Sequence, residues 1–216
     1  MQQEGIFGIL KGGIIINNLN KRELIHLLEL HKIWLDSLGL EGKKLVLDEV
    51  KLTQVDLMNY SLNQAHITEC LFNNMHLIDI EMYSSTICSS SFVCANLENA
   101  DFYKADVSYA NFTNANLRNT RFAKSDCIKT TFNHANLSDA KLVAALFDHA
   151  DFRHANLQNA DVSESTFENV LLKGANLTGI QGLEEAFIKS INIGTPERPN
   201  ILIGGEATQW LDARSN

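Results

Sequence analysis

From Leu47 to Leu177 an apolar residue stands at every fifth position, 27 times in succession with no insertion or deletion. An α-helix repeats at about 3.6 residues and a strand at about 2, so neither accounts for this spacing. Self-similarity at a fixed period decides the architecture before local propensity does, and it makes the chain a solenoid. The centres are Leu, Ile or Phe except for Met82, Val107, Cys127 and Val162. Two residues before each centre the side chain is usually small, as at Ala95, Ala115, Ala135 and Ala155, and the residue immediately before is often Asn or Asp.

A second period, of 20 residues, gives the shape of one coil. Taking every fourth centre yields Leu57, Leu77, Leu97, Leu117, Leu137, Leu157 and Leu177, a column of leucine alone. The neighbouring column reads Leu52, Phe72, Phe92, Phe112, Phe132, Phe152 and Leu172. Like stacks over like if the coil has four sides of five residues, and no other number of sides sorts the residues as cleanly.

Segments such as ANLEN, ADFYK, ANFTN and ADFRH resemble the pentapeptide-repeat family, whose pattern is A(D/N)LXX. The resemblance implies an all-β solenoid, a right-handed quadrilateral β-helix. By it, each centre and the small residue two before it point inward, and the other three point to solvent. The repeats then make about seven coils, a rod roughly 30 Å long at about 4.8 Å per coil. One such coil cannot bury enough to fold alone, so stability belongs to the stack. The column Asn96, Asn116, Asn136, Asn156 and Asn176 fits a structural ladder of side-chain amides along the axis.

Three segments follow: an N-terminal arm and amphipathic capping helix over 1–44, the β-helix over 45–179, and a C-terminal cap over 180–216. An open coil end exposes core and unpaired edges, so each end needs a cover. Asn20 with Glu23 three residues on marks a helix start, and Gly39 or Gly42 its end. Leu24, Leu27, Leu28, His31, Trp34, Leu35 and Leu38 fall on one stripe of that helix, with His31 as a packing residue. Gly12 and Gly13 between two apolar runs suggest a short hairpin. After Leu177 the spacing predicts a short helix over 183–189, a turn over 195–199, a strand over 201–203 and a last helix over 206–213, with Trp210 as anchor. An apolar cap also offers a route to a homodimer.

The 18 Lys and Arg against 26 Asp and Glu leave a formal charge of −8, which disfavours nucleic acid or an anionic membrane as partner. No apolar run is long enough to span a bilayer, and the run from Gly5 to Ile16 is broken by Lys11 and lacks a small-residue cleavage site. Cys70 and Cys127 fall on inward positions, Cys88 and Cys94 on outward ones, without metal-site spacing. Free thiols point to a reducing compartment, and the cytoplasm is the expected location.

No phosphate loop, nucleophile elbow or paired metal-ligand motif is present in the sequence. His134 and His154, one coil apart and near His149, Asp148 and Asp151, come nearest to a ligand set, but a convex wall offers no convergence. The expectation is a chain that is no enzyme and has no catalytic residue, metal or cofactor. What remains is a surface: Asn63, Tyr83, Tyr103, Ala123, Val143 and Ser163 form one outward column, with Leu146 around the next corner. Tyr83, Tyr103, Val143 and Leu146 are the candidate partner-binding residues, because clustered Tyr and aliphatic side chains on a rigid wall suit a protein interface. The reading is a non-enzymatic scaffold for protein–protein interaction. The alternative, from the family resemblance, is a DNA mimic that binds DNA gyrase or topoisomerase IV and confers quinolone resistance. Mimicry needs a continuous acidic face, whereas Ser61, Glu81, Asp101, Arg121, Lys141 and Asp161 alternate acid and base in blocks.

Overall fold

The computed structural model describes residues 19–53 and 55–215. The suggested hairpin at Gly12 and Gly13 and the rest of the N-terminal arm lie outside the described residues. The chain winds so that residues 20 apart pair in parallel. On one wall β1 (Val46–Asp48) pairs with β2 (His66–Thr68), and bridges continue from His66 to Thr86, Asp106, Asp126 and Leu146. There β3 (Leu146–Asp148) pairs with β4 (Thr166–Glu168). A second wall steps from Lys51 to Leu71 and on to Leu171, a third from His76 to Asn176, and a fourth from Glu81 to Gln181. Four ladders make four walls, and the leucine column faces the interior of the third.

At the corners after Leu62 the second residue after the centre is left-handed. From Gln64 to Asn169 every such non-glycine residue has φ between 52 and 63°. β-Branched side chains are outliers at such angles. The sequence obeys this rule: Val, Ile and Thr are absent from that position in all 27 repeats, yet fill eight of the 27 positions one residue earlier. The Asn or Asp before each centre closes the same turn. Asp101 Oδ1 accepts from the Tyr103 N–H at 2.8 Å, Asn111 Oδ1 from Thr113 N–H at 3.0 Å, and Asn136 Oδ1 from Ser138 N–H at 3.2 Å. Their amides also bond along the axis, Asn116 to Asn96 at 2.9 Å and Asn156 to Asn136 at 3.0 Å, as the amide column suggested.

The interior is apolar and aromatic. Phe72, Phe92, Phe112, Phe132 and Phe152 stack at centroid spacings of 4.4 to 5.4 Å with planes within 10° of parallel. Phe102 and Phe122 form a second stack that meets the first edge to face. Both geometries suit the ring quadrupole and are worth about 1 kcal/mol per pair beyond burial. Where Ser or Thr replaces the small inward Ala, the hydroxyl finds a carbonyl: Thr120 donates to Leu117 at 2.6 Å and Thr130 to Val107 of the preceding coil at 2.9 Å. Buried polar groups are thereby satisfied.

At the N-terminal side, α1 (Lys21–Asp36) carries the expected capping box between Asn20 and Glu23. Leu24, Leu28 and His31 are buried in the same core as the coils, and Leu27, Trp34 and Leu35 are half-buried. Leu38 departs from the expected stripe: the helix has ended, Leu38 takes φ 55°, and its side chain is 92% exposed. His31 Nδ1 accepts from the Leu45 N–H at 3.0 Å, which puts the ring proton on Nε2. Nε2 meets no partner among the described residues.

At the other end pairing outlasts the five-residue period. Gly182 stands where a centre is due, with φ 76° and a backbone so close that a Cβ would lie 2.6 Å from the Ser163 nitrogen. Leu183 fills the interior instead. The register slips by one, so β6 (Phe187–Ile188) pairs with residues 21 earlier, as β7 (Ser190–Asn192) does with β5 (Val170–Leu171). The helix expected over 183–189 is therefore absent: a turn leads into β6, because the open edge of β4 supplies backbone partners that outweigh helix propensity. The turn at Thr195–Arg198 and the strand β8 (Ile201–Ile203) are found where expected, β8 pairing antiparallel with β7. The final helix, α2 (Gly205–Ser215), buries Ala207 and Leu211, with Trp210 packed at the core's margin.

Two stability measurements follow from these features. Asn114→Val, which puts a β-branched residue at φ 58°, lowers the unfolding free energy by about 1–2 kcal/mol in urea, whereas Gln158→Val one corner position earlier changes it little. Burial holds the His31 imidazole below its ordinary value near 6.5, with the Lys44 charge adding in the same direction. The unfolded chain then binds a proton that the folded chain refuses, so stability is full above pH 6.5 and falls as the pH drops below it. Denaturation midpoints between pH 7 and 5 fall more steeply in the wild type than in His31→Gln.

Candidate interaction surface

The outward column on the fourth wall is set by the ladder beneath it. Asn63 Oδ1 accepts from the Tyr83 N–H at 2.7 Å, and its amide donates to Glu81 at 3.0 Å. Tyr83 and Tyr103 stack with centroids 5.6 Å apart and planes at 22°. The Arg121 guanidinium lies 3.9 Å from the Tyr103 ring centroid and reaches Asp101 at 3.2 Å, while Lys104 stands 5.3 Å from the same ring. The coil spacing thus brings Tyr83, Tyr103 and Arg121 into one stack, the two rings half-buried and the guanidinium exposed. Arg121 was legible only as a basic interruption of an acidic column. Its place over the ring follows from the 20-residue step that sets it beside Tyr103.

The other two candidates stand apart from this stack. Val143 is half-buried in the same column, separated from Tyr103 by Ala123. Leu146 is 42% exposed on the first wall, in the ladder that continues to Thr166 and Phe187. Phe187 is 63% exposed there, an aromatic that the helix expected over 183–189 concealed. Below Tyr103, ion pairs join successive coils: Lys141 to Asp161 at 3.6 Å, and Arg118 to Glu98 and Asp139 at 3.7 Å. These are surface pairs, each worth at most about 1 kcal/mol.

His134 and His154 stack at 4.8 Å with planes 11° apart, and His149 Nδ1 lies 2.6 Å from Asp148. Parallel rings send their nitrogens side by side rather than toward one point. No group of three His, Cys, Asp or Glu side chains among the described residues is placed to hold a metal ion. No helix among the described residues is long and apolar enough to cross a membrane.

Residues 109–181 match the family described as pentapeptide repeat region, and residues 84–119 match pentapeptide repeats (8 copies). No curated protein matches the chain. Among solved structures it is similar to HetL, a pentapeptide repeat protein involved in heterocyst differentiation regulation from the cyanobacterium Nostoc sp. The identity is 19% over 76% of this chain and 82% of that one, with a TM-score of 0.41. It is similar to a pentapeptide repeat protein from the Arabidopsis thaliana thylakoid lumen, at 25% identity over 53% of this chain and 63% of that one, TM-score 0.27. A third is QnrB1, a plasmid-mediated fluoroquinolone resistance protein, at 18% identity over 68% and 78%, TM-score 0.26.

The wall's sidedness also sorts the cysteines. Burial pushes the Cys70 and Cys127 thiols up to about 12. Cys88 is pushed up to about 12 as well, by burial and by the neighbouring Asp106 carboxylate, while its S–H faces the Asp106 backbone carbonyl at 3.9 Å. Cys94 is exposed at a corner. Since the thiolate is the reactive form, a thiol reagent at pH 8 titrates one group in the folded protein at least about 10-fold faster than the rest, and Cys94→Ser abolishes that fast phase.

Proposed function

Because residues 84–181 make this chain a pentapeptide-repeat protein, we propose that it is a non-enzymatic scaffold whose right-handed β-helix presents a fixed surface to another protein. The caps belong to this reading: α1 closes one end of a quadrilateral stack of about seven coils, and β8 with α2 closes the other. The observation that carries it is the stack of Tyr83, Tyr103 and Arg121. Tyrosine and arginine are the side chains that dominate binding energy in protein interfaces. Here each is held by a neighbour one coil away, so little rotamer freedom remains to be lost on association. The exposed apolar side chains near the C-terminal end, Phe187 and Ile203, make a second face suited to self-association.

Mimicry of DNA toward gyrase or topoisomerase IV is the weaker reading. A phosphate-binding saddle requires an unbroken run of negative charge. On the fourth wall Arg121 and Lys141 stand between the acids and pair with Asp101 and Asp161. Over residues 45–179 the 16 acidic and 9 basic side chains leave a net of −7 spread over all four walls.

Affinity capture from native lysate tests the scaffold reading. The wild type retains a partner that the Tyr83→Ala/Tyr103→Ala variant loses by about 30-fold or more, the change expected when a 2 kcal/mol hot spot is removed. Recovery of the same proteins in the same amounts by a variant with an unaltered melting temperature rejects the surface.

A further inference from the structure

On the fourth wall cations gather where the fold does not ask for them. Four of the nine basic side chains of residues 45–179 stand there, in two rows. Arg121 and Lys141 are neighbours in the ladder that runs from Glu81 to Gln181. Lys104 and Lys124 take successive corners on the wall's other side, fixed by backbone bonds from Lys104 to Ala123 at 3.1 Å and from Lys124 to Val143 at 2.8 Å. Each row thus sets two like charges about 4.8 Å apart along the backbone. Like charges in such a ladder are unfavourable. The corner does not select lysine, since Glu164 holds the same position at φ 58°.

Between the rows lies an apolar strip. Tyr103, Ala123 and Val143 follow one another along it, all half-buried, and Ala123 leaves a step between a ring and a branched side chain. Three residues separate the rows, so the strip is about 10 Å wide. Neighbouring carboxylates already have partners: Asp101 meets Arg121 at 3.2 Å, Asp161 meets Lys141 at 3.6 Å, and Asp139 meets Arg118 at 3.7 Å. Among the described residues Lys104 and Lys124 form no ion pair, not even with Asp106 and Asp126 around the corner on the first wall.

We propose that this strip receives a short acidic segment of the partner protein. One apolar side chain sits on Ala123 between Tyr103 and Val143, and carboxylates on either side are taken by Lys104 and Lys124 and by Arg121 and Lys141. The inference rests on the scaffold reading above and adds to it the chemistry of what is bound. Complementary charge steers a partner to such a surface and fixes its register. A chain of net charge −8 repels an acidic segment over most of its surface, so the block also sets the place of contact. The ends of the block limit the segment's length. Glu81 and Asp101 precede the cations along the wall, and Asp161 and Glu164 follow them, so a long polyanion such as a nucleic acid strand meets repulsion at both ends. From Tyr103 to Val143 is two coil steps, about 10 Å, which about three extended residues span.

Selection of a phage-displayed random peptide library on the full chain, followed by binding kinetics with the selected peptides, tests this. The wild type enriches sequences in which Asp or Glu flank a single large apolar residue. Lys124→Glu places an acid beside Lys104, so its melting temperature stays at or above that of the wild type, while the dissociation constants rise at least about 5-fold, chiefly through slower association. Tyr83→Ala/Tyr103→Ala weakens the same peptides at least about 30-fold. Enriched peptides without acidic residues that the tyrosine variant loses overturn the acidic segment and leave the scaffold surface standing. Peptides that both variants hold as tightly as the wild type overturn both readings. Failure to enrich any sequence overturns the acidic segment, and the capture experiment above then judges the surface by itself. An oligothymidylate strand that displaces the peptides at equal affinity, and that Lys124→Glu loses, overturns the proposal in favour of a phosphate ligand.

Discussion

The bond from each coil to the next is the interaction on which everything else rests. A centre such as Phe112 donates its backbone N–H to the carbonyl of Thr131, 19 residues on, at 2.7 Å. Repeated at nearly every centre, this bond sets the rise of the rod, and the rise sets the rest. Phenylalanine rings separated by one coil fall at stacking distance, asparagine amides fall at hydrogen-bonding distance, and Arg121 falls over Tyr103. None of these contacts was chosen locally. They are consequences of a backbone step that any side chain in the column inherits.

That dependence explains which parts could be read in advance. The columns of Leu and Phe gave the four-sided coil because identical residues recur at the step, and Asn20 with Glu23 gave the start of α1 because a capping box is local chemistry. The Tyr83 and Tyr103 pairing was legible for the same reason as the columns. The helix expected over 183–189 failed where a non-local partner decided the outcome: the edge of β4 recruits Phe187 and Ile188, and nothing within those seven residues announces it. At Gly182 a glycine stands where an apolar centre is due, and only the close approach to Ser163 shows that one residue is inserted and why it is glycine. Leu38 was placed on the helix stripe by spacing alone, although the chain has already left the helix there.

Two signals in the sequence were sharper than the reading made of them. The absence of Val, Ile and Thr two residues after every centre marks the left-handed corner as firmly as the apolar centres mark the interior. Tyr60, in a slot otherwise given to small or aliphatic residues, marks the place where its hydroxyl turns out to Glu29 of α1 and, among the described residues, the coil-to-coil bonds of Leu57 and Asn59 lapse. Both are exclusions, and a pattern of what never occurs needs the coil register before it can be seen. Surface function is harder for a related reason. A column of outward residues carries no constraint from the fold, so its chemistry reports on a partner only through what stands exposed and held.

The reversal of direction at β8 bears on how the rod avoids growing. A uniform solenoid ends in an edge identical to the one it began with, and a second molecule laid on that edge continues it indefinitely into a fibre. Beyond Gly182 the extra residue is absorbed and Ile191 still stacks inside over Val170, but β8 pairs antiparallel with β7 and so runs against the direction that an incoming coil needs. One reversed strand therefore works as a full stop, keeping a sequence built for unlimited extension to a finite length.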